Sequence, residues 1–184
     1  MATLLSPSTE TAASTYSVES RSPNWYALYT RSRHEKQVAA QLAQRHFEVF
    51  LPLYPSLRRW KDRRVELQLP LFPSYLFVRI PLQHRIEVLS VPGAVRFVAF
   101  NGRPAAVTDH DLLSVRSALT EGLCLHPHPY LKIGHRVRVR SGPLTGMEGI
   151  LVRKKDRFRL VLSIDIIMRS VAVEVDASDV EPLA

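Results

Sequence analysis

Pro70 and Pro73 stand just ahead of Tyr75-Leu76-Phe77-Val78-Arg79-Ile80, and this arrangement constrains the fold more than any other feature of the chain. Aromatic and β-branched side chains dominate Tyr75 to Ile80, which suits a strand inside a sheet. A proline has no N–H for a sheet ladder, so the lead-in from Leu69 reads as an extended edge or a bend. That sets Leu71, Phe72 and Tyr75 at the rim of a sheet, where apolar side chains need a cover. Ordinary core packing would supply one cover and a docked partner another. A second apolar stretch, Trp25 to Tyr29, is suited to pair beside the first, with a basic hairpin upstream. Together they favour a docking surface over a closed core alone.

The remaining segments follow in order. Trp25 to Thr30 reads as the first strand. Glu35 to His46 carries Val38, Ala39, Leu42 and Ala43 at helical spacing, opposite a polar face with Lys36, Gln37, Gln41, Gln44 and Arg45. Glu48 to Leu53 reads as a strand ended by prolines. Arg58-Arg59-Trp60-Lys61-Asp62-Arg63-Arg64 reads as a hairpin tip with five cations around one Trp. Such a tip suits phosphate contact and base stacking, and equally a solvated turn. His84 to Val91 is expected as a short helix using Ile86 and Leu89, stopped by Pro92-Gly93. Val95 to Phe100 is another strand, and Asn101-Gly102 a turn. Thr108 and Asp111 resemble a capping box before a helix with Leu112, Val115 and Leu119 in its buried stripe.

This order indicates an α+β domain over residues 23–122, with a mostly antiparallel sheet and flanking helices. Residues 123–132 read as a linker and 1–22 as a disordered, Ser- and Thr-rich tail. From 133 to 184 short alternating strands follow, Arg136 to Arg140 first, and indicate a small SH3-like β-barrel, because closure removes exposed edges. Its Val, Ile and Leu alternation, with Gly142, Pro143, Gly146 and Gly149, disfavours a helical alternative. The barrel is expected to hang on the linker and leave the rim of the first domain unmasked.

The formal net charge of +8 sits mainly in the first unit. From Asn24 to Gly122 there are 14 Lys and Arg against 8 Asp and Glu; from Ile133 to Ala184, 9 against 7. That field favours polyanions, nucleic acid above all. Cys124 is alone, so neither an intramolecular disulfide nor a cysteine-rich zinc site is expected. His126 and His128, one residue apart, do not by themselves make a metal-ligand set, so no metal and no other cofactor is expected. No phosphate-cradling glycine loop, nucleophile–base pair or carboxylate cluster indicates an enzyme. With no long apolar run, no membrane association is expected, and the cytoplasm is the default location.

Trp25-Tyr26-Ala27-Leu28-Tyr29, the Phe72-Pro73-Ser74-Tyr75 turn and Val91-Pro92-Gly93 resemble the N-terminal (NGN) domain of NusG-type transcription elongation factors. Ile133-Gly134 through Gly142-Pro143 to Gly149 resembles the KOW motif that follows it in that family. Ser163-Ile164-Asp165 with Arg169-Ser170-Val171-Ala172-Val173-Glu174 is most similar to the specialised UpxY-like and RfaH-like antiterminators. The resemblance implies a monomeric, non-enzymatic factor that binds the clamp helices of the RNA polymerase β′ subunit and suppresses pausing or termination on specific operons. It places Tyr29, Leu71, Phe72, Pro73 and Tyr75 at the polymerase contact. Arg31, Gln41, Gln44 and Arg45 would meet the non-template DNA strand, and the Arg58 to Arg64 tip would face the other side of the DNA channel. A KOW domain implies recruitment of Rho or a small-subunit ribosomal protein. General NusG proteins carry Phe-Gly where this chain has Asp165-Ile166-Ile167-Met168, and Gly is commoner than Ser at the position of Ser74. The alternative is a KOW-containing, ribosome-associated structural RNA-binding protein.

Overall fold

A computed structural model describes residues 22–60, 63–130, 134–154 and 157–183. The tail expected over residues 1–22 lies, but for Ser22, outside them. The first sheet is built on β1 (Asn24–Thr30) and β5 (Tyr75–Ile80), antiparallel from Asn24↔Ile80 to Tyr29↔Tyr75. β2 (Glu48–Phe50) adds to the free side of β5. β6 (Ala94–Phe97) and β9 (Ala106–Val107) add to β1, giving the order β2-β5-β1-β6 with β9 beside β1. The two apolar stretches do pair, as their composition suggested.

Period-two alternation divides β1 between two faces. Tyr26 and Leu28 join Leu76, Val78, Ile80 and Phe97 in one buried cluster. Helix α1 (Glu35–Gln44) closes it with Val38 and Leu42, and helix α2 (Arg85–Leu89) with Val88. The expected use of Ile86 and Leu89 is corrected: Val88 points inward, and Ile86 and Leu89 are exposed. A five-residue helix has little more than one turn, so its docking rather than its pattern sets its inner face. On the opposite face Trp25, Ala27 and Phe77 lie in one cluster with Val107 and with Leu112, Val115 and Ala118 of helix α3 (Asp109–Thr120). The Thr108 hydroxyl accepts the Asp111 N–H at 3.3 Å, as the capping signal indicated. Two hairpins project from this body. β3 (Leu53–Trp60) pairs with β4 (Arg63–Pro70), and β7 (Ala99–Phe100) with β8 (Arg103–Pro104) across Asn101-Gly102, both at positive φ.

The second sheet is antiparallel with the order β10-β14-β13-β12-β11-β15. Its strands are β10 (His126–His128), β11 (His135–Val139), β12 (Glu148–Lys154), β13 (Arg157–Ile164), β14 (Arg169–Val175) and β15 (Val180–Pro182). Val137, Val139, Leu160, Leu162, Ile164, Val171 and Val173 are buried. Among the described residues no α-helix follows Thr120, in line with the expected strands. β10 is a difference from the sequence reading. It falls within residues 123–132, read as a linker, and pairs with β14 from His126↔Ala172 to His128↔Ser170.

The expectation of a second domain hanging free is corrected as well. Helix α3 packs against β13, and the His126 ring lies 6.2 Å from the Tyr54 ring of β3. A single buried cluster runs from Trp25, Leu71 and Phe72 through Leu125 to Val171 and Val173. Ser114 and Ala118 of α3 are buried along with Leu112 and Val115.

At Gly149 β12 passes close to β13. A Cβ there would lie 2.7 Å from the Val161 carbonyl oxygen and 2.9 Å from Leu160 Cδ1. Gly149→Ala should therefore destabilise the protein by about 1–3 kcal/mol, the usual cost of overpacking. A thermal melt indistinguishable from wild type would show that the strands separate there without cost.

Candidate docking surface

On the α3 side of the first sheet, side chains line up in three rows across the strands. The first row runs Glu48, Arg79, Trp25, Val107. It is covered by Arg116 of α3, whose guanidinium lies 5.4 Å from the Trp25 ring centre and 5.0 Å from that of Phe50. Glu48 binds Arg79 at 3.4 Å and Arg116 at 3.9 Å, tying helix to sheet. The second row, Phe50, Phe77 and Ala27, is closed by Phe72, edge-on to Phe77 at 5.8 Å. The third row, Tyr75, Tyr29 and Arg96, is the open one. Tyr29 and Tyr75 are half-buried with ring centres 5.3 Å apart, and Arg96 is exposed.

The five candidate polymerase contacts thus divide. Leu71 and Phe72 are 1% exposed and belong to the core. That corrects the placement of both at a bare rim: the bend at Pro70 and Pro73 folds them under the sheet face. Pro73 is exposed, and Tyr29 and Tyr75 are half-open. Phe72-Pro73-Ser74-Tyr75 is a tight turn in which the Tyr75 N–H donates to the Phe72 carbonyl at 3.0 Å. Ser74 has φ +67°, so with proline before it the turn is of the kind that prefers glycine at Ser74's position. Two bonds hold it: Thr30 N–H to the Ser74 carbonyl at 2.9 Å, and Ser74 N–H to Glu35 Oε1 at 2.7 Å. Glu35, 5% exposed, is a residue that sequence reading missed. Nothing in the local pattern of a first-turn carboxylate marks it as an anchor for a turn 39 residues away.

The candidate nucleic-acid contacts lie elsewhere. Helix α1 covers the opposite face of the sheet, so Gln41, half-buried, and Gln44, exposed, point away from the tyrosine row. Arg31 is exposed. Arg45 is already engaged: Nη1 donates to the Glu87 carbonyl at 3.0 Å and to Ser90 Oγ at 2.8 Å, stapling α1 to α2. On the β3–β4 hairpin, Arg58 pairs with Val65, Arg59 with Arg64 and Trp60 with Arg63. Arg64 is exposed, Lys61 lies outside the described residues, and the side chains of Arg58, Arg59, Trp60 and Arg63 are not described. Among the described residues no group of three His, Cys, Asp or Glu side chains is placed to hold a metal ion. No described helix is long and apolar enough to cross a membrane.

A cleft of about 280 Å³ separates the start of α3 from the second sheet, lined by Asp111, Arg136, Glu148, Ile150, Ser163 and Asp165. Burial raises the pKa of Asp111, and the facing Asp165 adds to this; the Thr108 hydroxyl and His110 oppose it. Across the cleft, Arg138 holds Glu148 below the usual carboxylate range through a bond of 2.6 Å.

A family model described as "Transcription termination factor nusG" matches residues 23–116. The chain is 26% identical over 178 residues to the "Transcription termination/antitermination protein NusG" of Escherichia coli (strain K12), covering 89% of this chain and 98% of that one. It is 20% identical over 175 residues to the protein of the same description from Rickettsia bellii, covering 89% and 92%. The fold is similar to the structure described as "Domain interaction in Thermotoga maritima NusG", with TM-score 0.57, 22% identity, and coverage of 90% and 99%.

Two outcomes follow from the geometry. Ser74→Gly should stabilise the protein by about 1 kcal/mol, because glycine adopts positive φ without steric cost; an unchanged or lower denaturant midpoint would contradict it. For Asp111, the folded state holds its proton more tightly than the unfolded one. Its contribution therefore grows as pH falls through the window above the ordinary carboxylate range, and is lost as pH rises. Glu148 acts oppositely and at lower pH, losing its contribution as pH falls through its depressed value. Melting temperatures against pH for wild type and Asp111→Asn should differ in slope in the upper window and run parallel in the lower.

Proposed function

The chain belongs to the NusG family, and on that premise we propose that it is a transcription elongation and antitermination factor that docks on RNA polymerase through its open tyrosine row. The observation that carries this reading is the row itself. In a sheet face otherwise covered by α3 and by Phe72, Tyr29 and Tyr75 stay half-exposed beside the exposed Pro73. The Glu35-anchored turn holds Tyr75 in place before any partner arrives, which lowers the entropy lost on docking. The expected partner surface is the clamp-helix pair of the β′ subunit. Leu71 and Phe72 support the row from beneath and do not meet the partner while the domains are packed.

Gln44 lies on α1, so a protein docked by its tyrosine row has that side free for the non-template DNA strand, with Arg31 exposed in the turn between β1 and α1. The Arg58–Arg64 hairpin would reach DNA independently of both. In this reading the protein catalyses no reaction and works in the cytoplasm. It serves particular operons, and its second domain recruits a partner suited to Asp165-Ile166-Ile167-Met168 in place of Phe-Gly. There Ile167 is buried and Met168 is 62% exposed. The ribosome-associated RNA-binding alternative is not favoured, since the relatives matched along both domains are transcription proteins.

The test is binding of the full chain to purified core RNA polymerase. Tyr75→Ala, folded by circular dichroism, should bind about 30-fold more weakly, as expected when a hot-spot aromatic worth about 2 kcal/mol is truncated. It should also lose the effect on paused elongation complexes. Wild-type affinity in that variant would remove the row from the interface. Phe72→Ala is unsuitable for this purpose, because emptying a buried Phe site costs about 3–5 kcal/mol of stability.

A further inference from the structure

We propose that Arg96 selects the partner by charge, and that the protein surface docking on the tyrosine row presents a carboxylate to it. This rests on the reading of that row as the polymerase-docking surface.

Arg96 lies on β6, the edge strand of the first sheet, directly across from Tyr29, which is itself across from Tyr75. The three side chains are therefore one continuous row. The Arg96 guanidinium carbon sits 5.5 Å from the centre of the Tyr29 ring. A guanidinium held over a ring keeps its N–H donors available around its edge, and its long side chain is already restrained. Arg96 is exposed and makes no ion pair among the described residues. Other exposed arginines, Arg31 and Arg103 among them, also lack an ion pair among the described residues; Arg96 differs from them in being held over a tyrosine ring, and from the arginines that have partners in being unpaired. Arg79 and Arg116 are paired with Glu48, Arg136 and Arg138 with Glu148, and Arg159 with Glu174. Arg45 is bonded to α2. Arg96 is thus a restrained, unpaired cation at the open end of an aromatic pair, and a carboxylate is the group its planar fork fits by two parallel bonds.

Phosphate would also fit the fork, but the rings argue against nucleic acid at this row. Single-strand binders offer open aromatic faces on which bases stack. Here one face of Tyr29 is occupied by Arg96, and the two tyrosines meet at 65° rather than lying parallel. Half-buried rings at that angle present edges and hydroxyls, which suit apolar and polar side chains of a protein. Within its own strand Arg96 has no distinguishing pattern; only the register of β6 on β1 brings it to Tyr29.

The experiment uses the full chain and purified core RNA polymerase, with Arg96→Gln, Arg96→Glu and Tyr75→Ala variants, each checked for folding by circular dichroism. A single-stranded DNA oligonucleotide is titrated in parallel. Arg96→Gln should weaken polymerase binding about tenfold and Arg96→Glu further, both with a shallower salt dependence, as for loss of a complementary interfacial charge. Oligonucleotide binding should not change. If Tyr75→Ala loses polymerase binding while Arg96→Glu keeps it, the row docks without charge selection and the inference is wrong. If both variants bind polymerase like wild type, the docking reading fails and takes the inference with it. If Arg96→Glu loses affinity only for the oligonucleotide, the anion is phosphate and the carboxylate is excluded.

Discussion

The pairing of β1 with β5 is the constraint on which the rest of the first domain depends. Its register assigns Trp25, Ala27 and Tyr29 to one face and Tyr26 and Leu28 to the other. A slip of one residue would exchange the two sets, sending the tyrosine row under α1 and the core residues toward α3. Strands on both sides of β1 and β5 satisfy the backbone polar groups that such burial would otherwise leave unpaired. The separation of an aromatic row from the polar side of α1 is thus a property of one strand pair. It does not require the two surfaces to be positioned independently.

What was legible in the sequence is what short-range pattern encodes. Alternation marked β1 and β5, Asn101-Gly102 marked a hairpin, and Thr108 with Asp111 marked the start of α3; each signal lies within a few residues of its effect. β9 and β10 were missed because two or three residues carry no period. They exist because β1 and β14 offer unpaired edges. Long-range polar bonds were missed for a related reason. Glu35 looked like an ordinary first-turn carboxylate and Arg45 like one more cation on a solvated face. Their partners, Ser74 and Ser90, are 39 and 45 residues away. The family resemblance placed five residues at one contact, and only the rows separated the buried Leu71 and Phe72 from the open Tyr29, Pro73 and Tyr75.

Packing and charge both act where the two domains meet. A buried apolar cluster shared by α3 and the second sheet draws them together. Beside it, Asp111 and Asp165 repel across the cleft. Charges of opposite sign also face each other there, since His110 helps to lower the pKa of Glu148.

The short strand β10 determines how far the domains can part. While it stays bonded to β14, the slack between the end of α3 and the second sheet is only Glu121 to Leu125. Five residues at full extension reach about 17 Å. A partner captured by the second domain would then be held within one protein diameter of whatever the first domain grips. Freeing β10 from the sheet would lengthen the leash and lower the effective concentration of one partner at the other.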